Sequence, residues 1–498
     1  MFNECSSFCV LGVFKDVFRF DNKKSGINMS IKTSTLPLKK RMHQNLSDQF
    51  MRASIANAQD LINQKREDRY AELGDYEKWR DLAADIRAHV LDFLDYYLDQ
   101  FVANAEKAGA SVYFANDAAE ANEIAVNIFR EKNAQKAVKS KSMVTEEIGL
   151  NEALEEIGVD IIETDLGEYL LQVDDKDKPS HIVIPALHKN RDRIREVLAK
   201  QKGYDGDEVP ENMTRFVRGI LREAFLSADI AVTGCNFAVA ETGTIALMTN
   251  EGNGRFVTSI PKTHVAFMGM ERIVPTFNEL DIMFSMLARS GVGARASVYM
   301  SLITGPRAQD DVDGPEDLHI IIIDNGRSKV LSSPFKDVLR CIRCGTCMLE
   351  CPAYRHVSGH GYGALYPGPL GAALVPVLAG YKEHKDITKI CSLCGACNDV
   401  CPVKIPLYET IFEHRRIIAE DEKLTSWLDD AAFSAYGTVI GCPGLYKSGT
   451  KFAHLGNLAP KVGPLKEWAK ARDMPKIQKQ RFRDWFANRD KGGKNDDA

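Results

Sequence analysis

The chain has 498 residues, of which 44% are hydrophobic and 27% are charged, and its formal net charge is −5. This balance excludes a collagen-like chain, a largely disordered chain and a protein whose whole surface attracts polyanions. A chain of this length is enough for about three domains, which can bury large cores without disulfide bonds.

The N-terminal segment 1–39 is predicted to be poorly structured. Its apolar run, residues 8–14, follows no basic residue and makes a poor secretory signal. Met29 offers a second start, and residues 1–28 are interpreted as an over-extension of the chain. The longest uncharged stretch, residues 361–381, contains three prolines and five glycines, which a membrane-spanning helix would not tolerate. We therefore expect a cytoplasmic protein without a transmembrane segment.

Residues 40–330 predict one α/β domain preceded by helices. In 40–108, apolar residues recur every three or four positions between charged ones, as in helices. Short apolar strands then alternate with helices, which is typical of a mainly parallel sheet. The predicted strands are 111–115, a short one from 138, 159–163, 181–185, 231–234, 244–248, 265–268 and 319–324. The predicted helices are 118–132, 146–157, 190–200, 212–227 and 278–288, with none between 231 and 274.

The segment 331–410 carries eight of the 12 cysteines, in two copies of the motif C-x2-C-x2-C-x3-C-P. This is the spacing of bacterial ferredoxins with two [4Fe–4S] clusters, in which the fourth cysteine of each motif binds the other cluster. We call the two predicted sites cluster 1 and cluster 2. The predicted ligands of cluster 1 are Cys341, Cys344, Cys347 and Cys401, and those of cluster 2 are Cys391, Cys394, Cys397 and Cys351.

Other uses of these cysteines fit the spacing less well. Zinc sites need only four ligands and usually show paired C-x2-C motifs, and disulfides are rare in cytoplasmic proteins. Two clusters in one small module indicate electron transfer. Cys235 and Cys442 are interpreted as buried thiols, and no role is predicted for them or for Cys5 and Cys9.

The C-terminal region 411–498 is predicted to be helical and increasingly basic, with a frayed end from residue 491. Its aromatic residues Trp468, Trp485 and Phe486 lie among lysines and arginines, a pattern that could bind nucleic acid. A solvated helical face or a surface for a partner subunit explains the same pattern, and we predict no nucleic-acid binding.

Several further segments carry a family resemblance that runs from about residue 40 to 490. They are Lys139–Glu147, Glu163–Tyr169, Pro185–His188, Thr233–Thr244 and Gly361–Pro369. With the cysteine motifs, they make the chain resemble the lactate utilization protein B family, the iron–sulfur subunits of bacterial L-lactate oxidation. The N-terminal 28 residues depart from that pattern.

The resemblance implies a lactate-utilization domain over residues 70–305, distantly similar to CoA-transferase and sugar-phosphate isomerase folds. It also implies an iron–sulfur electron-transfer subunit of a cytoplasmic complex that oxidises L-lactate to pyruvate, which allows lactate use as a carbon source. The implied companions are a cysteine-rich-repeat protein and a second protein with a lactate-utilization domain. Two alternatives stay open: a stand-alone oxidoreductase for another 2-hydroxy acid, and a non-catalytic electron carrier or scaffold.

Catalytic residues are less clearly marked than the cluster ligands. Glu241 lies on a loop between two strands, where the analogy with CoA-transferases implies a catalytic glutamate; the alternative is a turn carboxylate bonded to backbone amides. His188 follows the predicted strand 181–185, at a position where α/β proteins tend to bind ligands. A 2-hydroxy acid needs cations and a base, and the further candidates are Lys139, Lys141, Arg255, Lys262 and His264. No G-x-G-x-x-G motif follows a strand, so a nicotinamide site is not supported.

Overall fold

The computed structural model of the chain describes residues 31–461 and 476–489. The predictions for residues 1–30, for Trp468 and for the frayed end at 491–498 lie outside the described residues. The chain divides into two compact units between Ile417 and Ile418. Within the segment predicted to be poorly structured, Ile31 is fully buried and Lys32 forms a β-bridge with Ala364.

Helices precede the first strand, as predicted for residues 40–108. Asp48 and Asp75 cap two of them, because their side chains accept hydrogen bonds from the backbone N–H groups of Met51 and Lys78. The helices are α1 Leu38–Ser47, α2 Gln49–Ala71, α3 Tyr76–Asp92 and α4 Leu94–Lys107.

A parallel six-stranded sheet forms the centre of the α/β domain. In spatial order its strands are β1 Ser111–Ala115, β10 Asp317–Ile323, β7 Thr263–Gly269, β4 Ile230–Thr233, β2 Lys136–Lys139 and β3 Asp160–Glu163. Alternate residues of β10 face opposite sides, so Ile321 and Ile323 join one core and Ile320 and Ile322 another. Both faces are covered, as parallel sheets require.

Helices cover the two faces of this sheet in separate groups. The first core is completed by α5 Ala118–Glu131, α6 Met143–Ile148 and α7 Leu150–Glu156, and α4 covers part of the opposite face. The rest of that face packs against α8 Leu166–Val173, α9 Arg191–Lys202, α10 Pro210–Ser227 and α11 Asn253–Ser259.

A second, smaller sheet was not predicted. Its strands are β8 Ile273–Val274, β5 Phe237–Val239, β6 Thr244–Thr249 and β9 Tyr299–Ile303, with β5–β6 and β6–β9 antiparallel. The helix α12 Phe277–Val292 connects β8 to β9 and contributes Phe284 and Met286 to the core shared with the cysteine module.

Three local predictions are wrong. Residues 181–185 form a compact loop and not a strand. His181 Nδ1 accepts hydrogen bonds from the N–H groups of Val183 and Ile184, each at 3.1 Å, so these groups do not pair with a neighbouring strand. The predicted helix 146–157 is interrupted at Gly149, whose φ of 68° lies in the left-handed region. The region 231–274 is not free of helix, since α11 packs its Val257 into the core.

The cysteine module is helical, as predicted. Its helices are α13 Arg327–Leu331, α14 Thr346–Leu349, α15 Pro352–Val357, α16 Gly368–Ala379, α17 Tyr381–His384, α18 Ala396–Asp399 and α19 Leu407–Arg416. Short 3-10 turns at Lys336–Arg340, His360–Tyr362 and Ile387–Ile390 connect them.

The described part of the second unit is also helical. It contains α20 Trp427–Gly441, α21 Pro443–Lys451, the 3-10 helix Ala453–Lys461 and α22 Phe482–Arg489. Cys442 joins α20 to α21 and is exposed, so the predicted buried thiol is wrong there, because neither helix buries a residue around it.

Candidate metal centre

The two cysteine motifs adopt the same backbone. Cys341 Sγ accepts the N–H of Arg343 and Cys391 Sγ accepts the N–H of Leu393, both at 3.3 Å. Arg343 and Leu393 share a left-handed conformation, with φ of 61° and 59°, and the glycine after the second cysteine of each motif repeats it. Each loop therefore turns its thiols inward and aims backbone N–H groups at sulfur, as is usual around iron–sulfur clusters.

The cysteines predicted for cluster 1 line one small cavity. Its other walls are mainly apolar, with Ile342, Leu370 and Val403 among them. Burial raises the pKa of the Cys401 thiol to about 11, so ionised thiolates here need a cationic partner. An all-thiolate donor set in a mainly apolar cavity fits an iron–sulfur core. The cysteines are Cys341, Cys344, Cys347 and Cys401.

The cysteines predicted for cluster 2 are neighbours as well. Cys391, Cys351 and Cys394 are close enough to Cys397 to raise the pKa of its thiol, after the larger effect of burial. This group lies nearer to solvent than the first, because Cys394 is exposed whereas Cys344 and Cys347 are buried. The fourth cysteine of each motif thus lies beside the first three of the other.

Polar side chains of the N-terminal helices hold the cysteine loops in place. Gln59 Nε2 donates to the carbonyls of Met348 and Cys351, at 3.0 and 3.3 Å. Arg80 Nε donates to the carbonyl of Cys401 at 2.9 Å. These contacts hold in place the backbone that carries the cysteine thiols.

Sequence reasoning missed these contacts, although a signal was present. Gln59 and Arg66 are seven residues apart on α2, and Arg80 and Arg87 are seven apart on α3. A spacing of seven puts two side chains on one face of a helix, and all four are buried. Buried polar residues repeated on one helix face need partners. Gln59 and Arg80 find theirs in carbonyls of the cysteine loops, and Arg66 in the side chains of Thr346 and Glu350.

A buried ion pair joins the α/β domain to the cysteine module. Arg327 Nη1 and Nη2 donate to the two carboxylate oxygens of Glu147, at 2.8 and 3.0 Å. The hydroxyl of Tyr366 and the amide of Asn325 also donate to Glu147. Although burial opposes it, Arg327 holds the pKa of Glu147 below its usual value.

A second carboxylate, Glu271, is shared by three arginines. Its oxygens lie 2.8 Å from Arg327 Nε, 3.5 Å from Arg272 Nε and 3.7 Å from Arg343 Nη2. A Cβ at Gly269 would come within 2.2 Å of this carboxylate, so only glycine fits there. The three arginines face Glu147 and Glu271, which leaves one positive charge in excess.

A cavity of about 500 Å³ opens beside this ion cluster, at the carboxyl ends of β2, β3, β4 and β7. Ligands of α/β proteins commonly bind at such strand ends. Arg272, Arg343 and Lys141 bring positive charge to its lining, and Asp165 and Glu251 bring negative charge. Cys344 lines both this cavity and the cavity of cluster 1.

Lys141 is the one candidate from sequence that lines this cavity. Glu241 is exposed and its carboxylate accepts the N–H of Phe277 at 2.8 Å, the bonding of a turn carboxylate. His188 contacts Asp177 and Ser180, at 3.0 and 2.9 Å, away from the cavity.

The remaining sequence candidates are occupied elsewhere. Lys139 is buried between Glu146 and Glu163, Lys262 lies 3.6 Å from Glu316 on the surface, and Arg255 is exposed over the ring of Tyr299. Arg272 and Glu251, which do line the cavity, carry no motif that would single them out.

His264 belongs to the core of the sheet. Its ring is fully buried on β7, and Nε2 lies 2.7 Å from Thr233 Oγ1. Burial lowers the pKa of His264 from 6.5 to about 3. Below pH 6.5 His264 is protonated in the unfolded chain but stays neutral in the folded chain. The folded state therefore loses stability as the pH falls.

We expect the substitution His264→Asn to reduce the loss of stability between pH 7.5 and pH 5.5. The measurement is the free energy of unfolding in urea at both pH values. His43→Asn, which changes an exposed histidine, is the control and should keep the slope of the parent chain. An unchanged slope for His264→Asn would show that this histidine is not the source.

Three family matches cover most of the chain. Residues 98–323 match the LUD domain, residues 337–405 match the 4Fe-4S dicluster domain, and residues 409–491 match the C-terminal region of lactate utilisation protein B. A lactate utilization protein B from Shouchella clausii is 52% identical over 476 residues, which span 94% of this chain and 100% of that protein. The chain belongs to the lactate utilization protein B family.

Other relatives support the same membership. Lactate utilization protein B of Bacillus subtilis strain 168 is 48% identical over 93% of this chain and 98% of its own length. An uncharacterized electron transport protein of Escherichia coli strain K12 is 52% identical over 92% of this chain and 98% of its own. As a member of the lactate utilization protein B family, the chain is an iron–sulfur protein of lactate utilization. Across residues 31–461 and 476–489, the helices are too short or too polar to span a bilayer.

Proposed function

We propose that the chain holds two [4Fe–4S] clusters with crossed fourth ligands. Cluster 1 would be bound by the four cysteines of the small apolar cavity, and cluster 2 by the four cysteines that include the exposed Cys394. The two cysteine loops have the same backbone conformation, which supports two sites of the same kind. Cys401 lines the same cavity as Cys341, Cys344 and Cys347, which supports it as the fourth ligand of cluster 1. When bound, each cluster supplies a one-electron redox centre.

We infer that the protein is the electron-transfer subunit of a cytoplasmic complex that oxidises L-lactate to pyruvate. The observation that carries this proposal is the position of Cys344, which lines both the cluster 1 cavity and the larger cavity at the strand ends. One redox centre then borders an interior ligand cavity, and the other borders solvent, where a partner can approach. The relatives named for lactate utilization support lactate as the substrate of the complex.

The protein partners are proposed from the family resemblance. They are a cysteine-rich-repeat protein and a second protein with a lactate-utilization domain. The exposed edge of the second cysteine loop, at Cys394 and Ser392, is where we expect a redox partner to approach.

Metal content tests the cluster proposal. Anaerobic purification should yield about eight irons and about eight sulfides per chain, and dithionite should produce the EPR signal of two interacting clusters. Four irons per chain would contradict the second cluster. A zinc-containing protein without an EPR signal would contradict both.

The source of the electrons tests the functional proposal. With both companion proteins present, L-lactate should reduce the iron–sulfur centres of this chain and yield pyruvate. Reduction by L-lactate without companions would favour a stand-alone oxidoreductase, the second candidate, which the large interior cavity supports. Failure of L-lactate to reduce the centres in the complete mixture would contradict the proposed lactate-oxidising complex.

A further inference from the structure

The cavity at the strand ends has the chemistry of a small-anion site. Arg272 and Arg343 line it, and their side chains keep 11% and 12% of their surface exposed. The single carboxylate near both of them, Glu271, is already bonded to Arg327 at 2.8 Å. Each of these two arginines therefore retains hydrogen-bonding capacity for another anion.

Lys141 adds a further positive charge to the lining. Its Nζ donates to the carbonyl of Val183 at 2.7 Å, and Glu168 is the carboxylate with the largest electrostatic effect on it. Asp165 and Glu251, which also line the cavity, lie within electrostatic range of Lys141. The cavity thus has an acidic part around Lys141 and a basic part around the arginines.

This separation of charge favours one class of anion. A phosphate group would be repelled by Asp165 and Glu251. A 2-hydroxy carboxylate matches both parts, because guanidinium groups bind its carboxylate and a carboxylate accepts the hydrogen of its hydroxyl. The volume of about 500 Å³ also leaves room for acids longer than lactate.

We propose that this cavity binds the 2-hydroxy carboxylate substrate, so that this chain, rather than a companion, holds it beside Cys344. The carboxylate of the substrate lies on Arg272 and Arg343, and its hydroxyl lies toward Glu251. The assignment rests on the proposed function, because it places the substrate against the cysteine loop of cluster 1.

An alternative explanation of the arginines is that their charge only offsets the cluster. A [4Fe–4S] core with four thiolates carries a net negative charge, and Arg272 Nη1 already donates to the carbonyl of Cys341 at 3.3 Å. In that case, removing Arg272 changes the spectrum of the cluster, and L-lactate does not bind to the isolated chain.

Equilibrium dialysis of the purified full chain under anaerobic conditions tests the proposal. Radiolabelled L-lactate should bind saturably at about one molecule per chain, 2-hydroxybutyrate should compete, and inorganic phosphate should not. We expect Arg272→Gln to weaken L-lactate binding by about tenfold or more, as the loss of a charge-assisted contact does. Arg218→Gln, which changes an exposed arginine outside the cavity, is the matched control and should bind like the parent chain.

A second variant protects the test against misfolding. Ala296 is exposed at the edge of the cavity, so Ala296→Trp should obstruct it without disturbing the buried ion pairs, and should also weaken binding about tenfold or more. Thr214→Trp, at an exposed position on α10, is its control. Equal L-lactate affinity in Ala296→Trp and the parent chain would overturn the assignment.

The outcomes separate this assignment from the proposed function. A chain with two clusters that lactate reduces through the companions, but without L-lactate binding of its own, would overturn the assignment alone. If phosphate displaced L-lactate as well as 2-hydroxybutyrate does, the assignment of the ligand to the 2-hydroxy carboxylates would be overturned. Binding of L-lactate to a chain without two clusters would support the cavity and contradict the cluster proposal.

Discussion

Replacing Cys401 by serine should remove the cluster built on Cys341, Cys344 and Cys347, although Cys401 lies in the other sequence motif. The reason is that Cys401 lines the cavity of those three cysteines and its Sγ accepts the N–H of Ile405 there. We expect the iron content to fall by about half, with one EPR-active cluster left. Iron analysis and EPR after anaerobic purification measure this.

The crossing of the fourth ligands needs a comparison in which one cluster is already absent. In a chain with Cys394→Ala, which removes an exposed cysteine proposed to bind cluster 2, adding Cys351→Ser should leave the remaining signal unchanged. Adding Cys401→Ser instead should abolish it. The opposite pattern would show that each motif binds its own cluster. Cys442→Ser changes an exposed thiol of the second unit and should leave both signals intact.

The cysteine motifs could be read from sequence because their geometry is local. A C-x2-C-x2-C loop positions its thiols through a few backbone angles, and Gly345 and Gly395 have the positive φ that the loop needs. The partner of each fourth cysteine was predictable only through the known ferredoxin spacing. Nothing local to Cys401 indicates the cavity that it shares.

The positions of the arginines around the site could not be predicted from local sequence. Arg87 and Arg272 are 185 residues apart in sequence, and both donate to backbone carbonyls near Cys341. Their role depends on how the N-terminal helices, the second sheet and the cysteine module pack together. Periodicity predicts each helix, but it does not predict which loop a buried guanidinium will meet.

The second sheet was missed for a related reason. β5 has three residues and β8 has two, so neither shows an alternating pattern long enough to read. β9 alternates between partly buried and exposed positions and carries no fully buried residue. These strands exist because they pair with each other and with β6, and pairing between distant segments is not encoded in any single window.

Removing the carboxylate of Glu147 should destabilise the first unit more than any surface substitution. Glu147 is fully buried and accepts bonds from Arg327, Tyr366 and Asn325. Glu147→Met leaves part of the Arg327 charge uncompensated in the interior, which costs about 3–5 kcal/mol. The free energy of unfolding in urea at pH 7, followed by circular dichroism, measures the loss.

The pH dependence and two matched variants identify the cause. Arg327 lowers the pKa of Glu147 below 4.5, so the ion pair stabilises the fold fully above pH 4.5 and less as the pH falls through the lower, folded-state pKa. The parent chain and Glu147→Met should therefore converge in acid. Asp92→Asn, in the exposed pair with Lys336, should cost little at any pH.

The double variant Glu147→Met with Arg327→Met separates the contribution of charge from that of packing. It removes both charges, so it should be more stable than Glu147→Met alone, because no buried charge is left without its partner. Glu271 would keep Arg272 and Arg343 as neighbours. If the double variant loses as much stability as the sum of its parts, the contribution of Glu147 is packing rather than charge. If it recovers stability but loses L-lactate binding, the ion pair also holds the cavity open against the cysteine module.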